Sequence, residues 1–442
     1  MNSFMEKMSP AIMKLANSKI LMAIRDGVMM VMPLTLVGSI FLLIANFPLK
    51  AFTNAMASAF GPNWTEPLNQ VPNATFSIMA LVAVFGIAYS YTKSEGLDGV
   101  NAGILGLVSF LIIMPPTFQF TPDKSKTAVT VSGAITRGWT DGHGIIAAIL
   151  LGLLVGYIYT WFISRDIRIK MPDGVPEGVV SAFTALIPAA VVMLISVIIY
   201  IFFKVTTGGT FFDWIYTILQ KPMQGATDSL GGALLIPFMI SFLWFFGIHG
   251  ASVVSGVVTG LLQANGLANQ DIVNKGGTLI AGQNAHIVTQ QFLDQFITFG
   301  GSGMTLGLVI AMILTAKSQR LKTLGELSIV PGLFNINEPI LFGMTIVLNP
   351  MMAVPFILVP MLSGLITYTA IAIGFVHPFT AVQVPWTTPP IISGFVVSGW
   401  QAALLQALLI LMAGAIYFPF MKALDKQYVK DEREAAAAEA EA

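Results

Sequence analysis

The run from Ala182 to Phe203 carries no charged residue and is interrupted only by Pro188. A helix needs about 20 apolar residues to cross a hydrocarbon core of about 30 Å, so this run alone argues against an ordinary soluble globule. The pattern repeats. Comparable runs extend from about Val28 to Phe47, up to about Tyr91, from Asn101 to Met114-Pro115-Pro116, and from Ile145 to Ile163. The 442 residues are 55% hydrophobic and only 10% charged, with a mean hydropathy of +0.79. Too few polar side chains exist to cover a soluble body of that size. The chain reads as an all-α polytopic membrane protein.

The charges mark the loops. Basic residues cluster between the apolar runs, as at Arg165, Arg168 and Lys170, and the positive-inside rule assigns that cluster to the cytoplasm. Residues 1–26, with Lys7, Lys14, Lys19 and Arg25 among apolar neighbours, read as an interfacial amphipathic helix on the cytoplasmic side. The loop 51–75 is nearly free of basic residues and belongs outside. The segment 117–144 carries Lys124, Lys126 and Arg137, which argues against an outside location, yet the alternation of spans places it there. A net charge of zero suggests no nucleic-acid partner, and the absence of cysteine removes disulfides and thiolate chemistry from these residues. No removable signal peptide is expected.

Five crossings complete a first half, residues 1–209. In 210–223, Phe211, Trp214, Ile215, Ile218 and Leu219 fall at helical spacing, the mark of a second interfacial helix. It makes residues 210–227 a linker. The second half, 228–424, has apolar segments near 233–262, 303–316, 345–374 and 401–420, separated by half-apolar stretches rich in Gly, Asn and Gln at 276–303 and 324–343. Non-helical backbone at membrane depth is tolerated where protein or a watery cavity surrounds it, so both read as re-entrant hairpins, in a total of about ten transmembrane helices. Residues 425–442 read as a charged, then Ala/Glu-rich cytoplasmic tail, either a solvated helix or disordered, to which the sequence assigns no chemistry.

One of those stretches, PGLFNINEPILFG from Pro331 to Gly343, holds a full carboxylate at Glu338 with Asn335 and Asn337 before it and Pro339 after it. An intramembrane carboxylate is expensive, and such residues mark function. LWFFGIHG, from Leu243 to Gly250, sets His249 between glycines at the end of another apolar run. Asp294 in QQFLDQFITFG is a second acid at apparent membrane depth, suited to bracing a hairpin or touching substrate. His286 and His377 are expected near interfaces without a role. Trp386, in the Pro-bracketed VPWTTPP, and Trp244 offer flat apolar faces, and Asn101 opens a span in the first half.

LWFFGIHG and FNINEPILFG, together with FGGSGMTLGL (299–308), MPDGVPEGVVSAFTALIP (171–188) and RDGVMMVMPLTLVGSIFLLI (25–44), resemble the membrane IIC component (permease) of phosphoenolpyruvate-dependent sugar phosphotransferase systems, in the lactose/cellobiose/diacetylchitobiose branch. The resemblance runs from about residue 5 to residue 425. It implies a homodimer of ten-span protomers in the bacterial plasma membrane, both termini cytoplasmic. The first half dimerises, and the second binds a β-linked disaccharide such as diacetylchitobiose or cellobiose and carries it inward. Glu338 and His249 then meet the hydroxyl that becomes phosphorylated. From their own chemistry, Asn335 and Asn337 are expected to offer amides to sugar hydroxyls, Trp386 and Trp244 faces to pyranose rings, Asn101 a contact from the first half, and Asp294 either a sugar contact or a brace.

In that branch the phosphoryl donor is a phosphocysteine on IIB, supplied upstream by IIA. A chain without cysteine is therefore expected to use a separate phospho-IIB protein, docked on cytoplasmic loops such as Arg165–Lys170. The resemblance calls for no cofactor and no metal. Two rival readings fit the polar interruptions alone: a proton-coupled secondary sugar transporter that cycles protons on Glu338, and a channel or scaffold whose polar residues line a pore.

Overall fold

The computed structural model describes residues 18–45, 50–120, 127–172, 174–344, 346 and 349–441. Lys7 and Lys14 of the expected amphipathic helix, Phe47 at the expected end of the first span, and Lys124 and Lys126 lie outside them. Among the described residues, seven helices are long and apolar enough to cross a membrane, or eight if the pair Phe211–Thr227 and Leu230–Phe245 counts as one. The chain divides into two compact units. The first ends at Gly225 and also contains Ser255–Ala264; the second contains Ala226–Val254 and the chain from Asn265 onward.

The first unit comprises α1 (Lys19–Met29), α2 (Met32–Ala45), α3 (Lys50–Phe60), α4 (Glu66–Thr75), α5 (Met79–Lys93), α6 (Val100–Ile113), α7 (Ile145–Ser164) and α8 (Glu177–Thr207). Its centre is α5, packed against α1, α6 and α7. Glycines make this approach possible: a Cβ on Gly27 would stand 2.4 Å from Ile87, and one on Gly152 would stand 2.9 Å from the same side chain. Small residues at helix contacts let backbones close in where water supplies no driving force between spans. Ala88, Ala102, Leu105, Val155, Tyr159, Ala185 and Val192 continue this core. The interfacial segment becomes Phe211–Ile215, a π-helical turn Tyr216–Gln220 and Lys221–Thr227, entered through a capping box between Thr210 and Asp213.

The all-α expectation misses a two-stranded hairpin. Thr117–Phe120 (β1) pairs antiparallel with Val129–Ser132 (β2). Its residues alternate β-branched or aromatic with polar side chains, a period-2 pattern that suits a strand and that the polar composition of 117–144 obscured.

The second unit comprises α9 (Leu230–Phe245), the two ends of α10 (Gly250–Asn274), α11 (Leu306–Thr315), α12 (Gln319–Leu333), α13 (Glu338–Gly343), α14 (Pro350–Ala372), α15 (Ile392–Ser398) and α16 (Trp400–Glu441). Two expected boundaries change. The apolar segment 233–262 is two helices broken at Phe246–His249, because Gly247 takes a left-handed φ of 78° that ends α9. The last helix does not stop near 420: α16 runs 42 residues, and Asp425 within it is 2% exposed. The core joins α9 to α14 and α11 to α16, with Phe296 stacked on Phe379 at 5.1 Å and the Tyr417 hydroxyl donating to the Gly303 carbonyl at 2.8 Å.

Candidate functional site

α12 ends in a Schellman motif. The Ile336 N–H donates to the Pro331 carbonyl and the Asn335 N–H to the Gly332 carbonyl, at 3.0 and 3.1 Å, while Asn335 holds the left-handed position (φ 65°) usually given to glycine. Asparagine tolerates that backbone, and here its side chain does more. Its Oδ1 accepts from the Gly300 N–H at 2.6 Å, and its Nδ2 donates to the Trp386 and Thr388 carbonyls. Asn337 donates to the Ser302 carbonyl at 2.7 Å and to the Thr305 hydroxyl at 3.0 Å. Its side chain packs where a Cβ on Gly301 would stand, 2.2 Å from Asn337 Cγ. Both asparagines are buried. They pin the 300–305 turn and the 386–388 loop to the residues that precede Glu338.

Glu338 is the first residue of α13, and Pro339 beside it sits in the first turn, where its missing N–H costs no ladder bond. The carboxylate is exposed. Trp386, 46% exposed, follows on a loop that Asn335 grips directly and that Gln291 and Gln295 hold at Val384.

His249 caps α10: its Nδ1 accepts from the Ser252 N–H at 3.1 Å and lies 2.8 Å from the Ser252 hydroxyl. A neutral imidazole accepting at Nδ1 carries its proton on Nε2, so His249 presents a donor outward. Its ring leans on Trp244, centroids 4.7 Å apart. Among the described residues, no hydrogen bond or ring contact joins His249 to Glu338.

The other candidate side chains carry structural contacts. The Asn335 amide meets one backbone N–H and two carbonyls that would otherwise stay unpaired, and the Asn337 Nδ2 meets a carbonyl and a hydroxyl. Trp244 is 5% exposed and covered by His249, so it supports the imidazole instead of forming an open platform. Asn101, in the first unit, donates to the Ser181 hydroxyl at 2.8 Å and braces α6 against α8. Asp294 is half-buried in a π-helical turn, Leu293–Ile297, and accepts from Gln290 at 2.9 Å.

Sequence reasoning missed a second network. Asp228 accepts the Ile287 and Val288 N–H groups, both at 2.7 Å, and pairs with His286 Nδ1 at 2.8 Å. Asn269 donates to the His286 and Phe379 carbonyls, and Asn265 to the Val288 carbonyl, each at 2.8 Å. The signal was present: Asn265 and Asn269, four apart, place two amides on one face of α10.

The family model for the phosphotransferase system EIIC matches residues 25–360. The lichenan permease IIC component of Bacillus subtilis (strain 168) is 38% identical over 97% of this chain and 94% of its own length. The cellobiose-specific EIIC component of Geobacillus stearothermophilus is 38% identical over 97% of this chain and 95% of its own. Among solved structures, the transporter ChbC, the IIC component of an N,N'-diacetylchitobiose-specific phosphotransferase system, superposes with a TM-score of 0.91 at 38% identity. That match covers 96% of this chain and 98% of the other. The chain belongs to the phosphotransferase-system EIIC family and is a membrane permease component.

Proposed function

We propose that this permease binds a β-linked disaccharide of the cellobiose or diacetylchitobiose type, moves it inward by alternating access, and presents its 6-hydroxyl to a separate phospho-IIB protein charged by IIA. The relatives named for lichenan, cellobiose and diacetylchitobiose support the substrate class. The absence of cysteine from these 442 residues supports a donor on another chain. We further read the protein as a homodimer of ten-span protomers in the bacterial plasma membrane, both termini cytoplasmic. We read the stretches 276–303 and 324–343 as re-entrant hairpins; Asn265, Asn269, Asn335 and Asn337 supply bonds to the backbone of the first.

One observation carries the site: Glu338 is an exposed carboxylate standing on backbone that two buried asparagines fasten, Asn335 to the Trp386 loop and Gly300, Asn337 to Ser302 and Thr305. In the transfer, the sugar O–P bond forms as the donor's S–P bond breaks, and the hydroxyl proton passes to Glu338. Phosphoryl transfer depends on positioning and charge more than on deprotonation. Glu338 therefore orients the hydroxyl first and accepts its proton second. His249 donates from Nε2 to a sugar oxygen, and Trp386 stacks under a pyranose ring. Arg165, Arg168 and Lys170 are a weaker docking patch for IIB than their count suggests, since Asp166 pairs with Arg168 at 2.7 Å and with Lys170.

Equilibrium binding of a panel of β-disaccharides to the purified protein, without partners, tests the site. Saturable binding of one sugar that is lost in Glu338→Ala supports it, and binding unaffected by that change removes Glu338 from the site. In vesicles holding phospho-IIB, uptake that collapses with a proton uncoupler would favour the ion-coupled reading instead.

A further inference from the structure

The turn between α11 and α12 is gripped by one face of α16. Asp425 accepts the Lys317 N–H at 3.0 and 2.9 Å through its two oxygens and the Ser318 N–H at 2.9 Å. Glu432 accepts the Gln319 and Arg320 N–H groups at 3.2 and 3.0 Å. Between these carboxylates, Tyr428 lies under the Arg320 guanidinium, 4.3 Å from its ring centroid, and the Lys422 ammonium donates to the Thr315 carbonyl. Four consecutive backbone N–H groups thus meet two carboxylates seven residues apart on one helix.

A helix start leaves its first N–H groups without intrahelical partners, and Ser318 already supplies an ordinary cap by accepting from Leu321. The serine meets one of those groups, and Glu432 on a distant helix meets the two before it. Withdrawing a carboxylate such as Asp425 from water is costly unless every bond is well made, so the grip does something a serine cap does not. It fixes the direction of α12. That helix has 15 residues, a rod of about 22 Å at about 1.5 Å per residue, and its far end is the Schellman turn that carries Asn335, Asn337 and Glu338. A rod held at both ends cannot tilt. With the near end released, the far end turns about the Asn335 and Asn337 clamp and carries Glu338 with it.

We infer that Asp425 and Glu432 are positioning residues that act through α12 to set where the Glu338 carboxylate stands. The inference rests on the role of Glu338 proposed above.

The test uses the full chain with phospho-IIB in vesicles. Sugar affinity is measured without partner, and coupled uptake is measured across sugar concentrations. Asp425→Asn should lower the saturated uptake rate about tenfold, and the milder Glu432→Gln about threefold, with affinity changed less than about twofold, because misplacing a reactive group costs rate before it costs binding. The chain has no cysteine, so Arg320→Cys with Tyr428→Cys gives a unique pair for a short thiol cross-linker. Cross-linking should restore the Asp425→Asn rate toward that of the cross-linked parent.

Unchanged uptake in both carboxylate variants overturns the inference, as does a parallel fall of affinity and rate, or failure of the cross-link to rescue. If Asp425→Asn does not fold, Glu432→Gln decides alone by the same split. Absence of coupled uptake in the unmodified protein overturns the proposed function instead, whatever the variants do.

Discussion

The two units solve the same problem by different means. In the first, long helices satisfy their own backbone, and contact is made through small residues, with Gly27 and Gly152 both closing on Ile87. Its few interhelical polar contacts, such as Ser109 with Ser196 at 2.7 Å and Thr160 with Thr92 at 3.2 Å, add to packing that glycine already permits. In the second, the helices are interrupted, and non-helical backbone within 284–305 and 376–394 is met by side-chain amides. Gln406 illustrates this: it accepts from the Ile391 and Gly394 N–H groups and donates to the Gln295 carbonyl. A span that pairs its own backbone leaves nothing for a polar ligand. A broken one must be held open by polar side chains, and such breaks are where transporters place their sites.

The sharpest way to break this contrast is Glu338→Gln, which keeps shape and hydrogen bonding but removes charge. Coupled uptake should fall about a hundredfold or more, with sugar binding retained; normal uptake would mean the open region is not the reacting one.

Next is Asn335→Gly, which keeps the left-handed backbone but orphans the Gly300 N–H and two carbonyls. Each unpaired buried group costs about 1–3 kcal/mol, so unfolding in detergent should show a loss of about 3 kcal/mol, accompanied by weaker sugar binding. A stability loss without a binding loss would detach the amide clamp from the site. Trp386→Ala should weaken binding about tenfold for all sugars while preserving their ranking, since a ring face stacks on any pyranose for about 1–1.5 kcal/mol. An unchanged affinity would move the platform elsewhere.

Two smaller changes sharpen the comparison. Ser109→Ala in the first unit should cost about 1 kcal/mol of stability, measured by thermal unfolding, and leave sugar affinity untouched. Ser252→Ala removes a hydroxyl from His249 but leaves the backbone N–H on Nδ1, so the imidazole keeps its proton on Nε2. Affinity should shift by about twofold at most. A large effect there would mean the hydroxyl itself touches the sugar.

The apolar runs were legible because lipid demands about 20 consecutive apolar residues, a one-dimensional requirement that composition alone reveals. α7 begins at Ile145, where its run starts, and has 20 residues; α6, read as a span, has only 14. Glu338 and His249 were legible for the converse reason, since each is a polar group where apolar residues are expected. The roles of Asn335, Asn337 and Trp244 were not, because an amide in a Gly/Asn-rich stretch reads the same whether it faces a ligand or a backbone carbonyl. Only the tertiary structure pairs Asn335 with Gly300 and Trp386, residues 35 and 51 positions away. It likewise decides that Asp425 and Glu432, which read as the start of a solvated tail, hold the first turn of α12. Spans follow from hydrophobic content along the chain; the pairing of donor with acceptor depends on which distant segments fold together, and no local pattern encodes that.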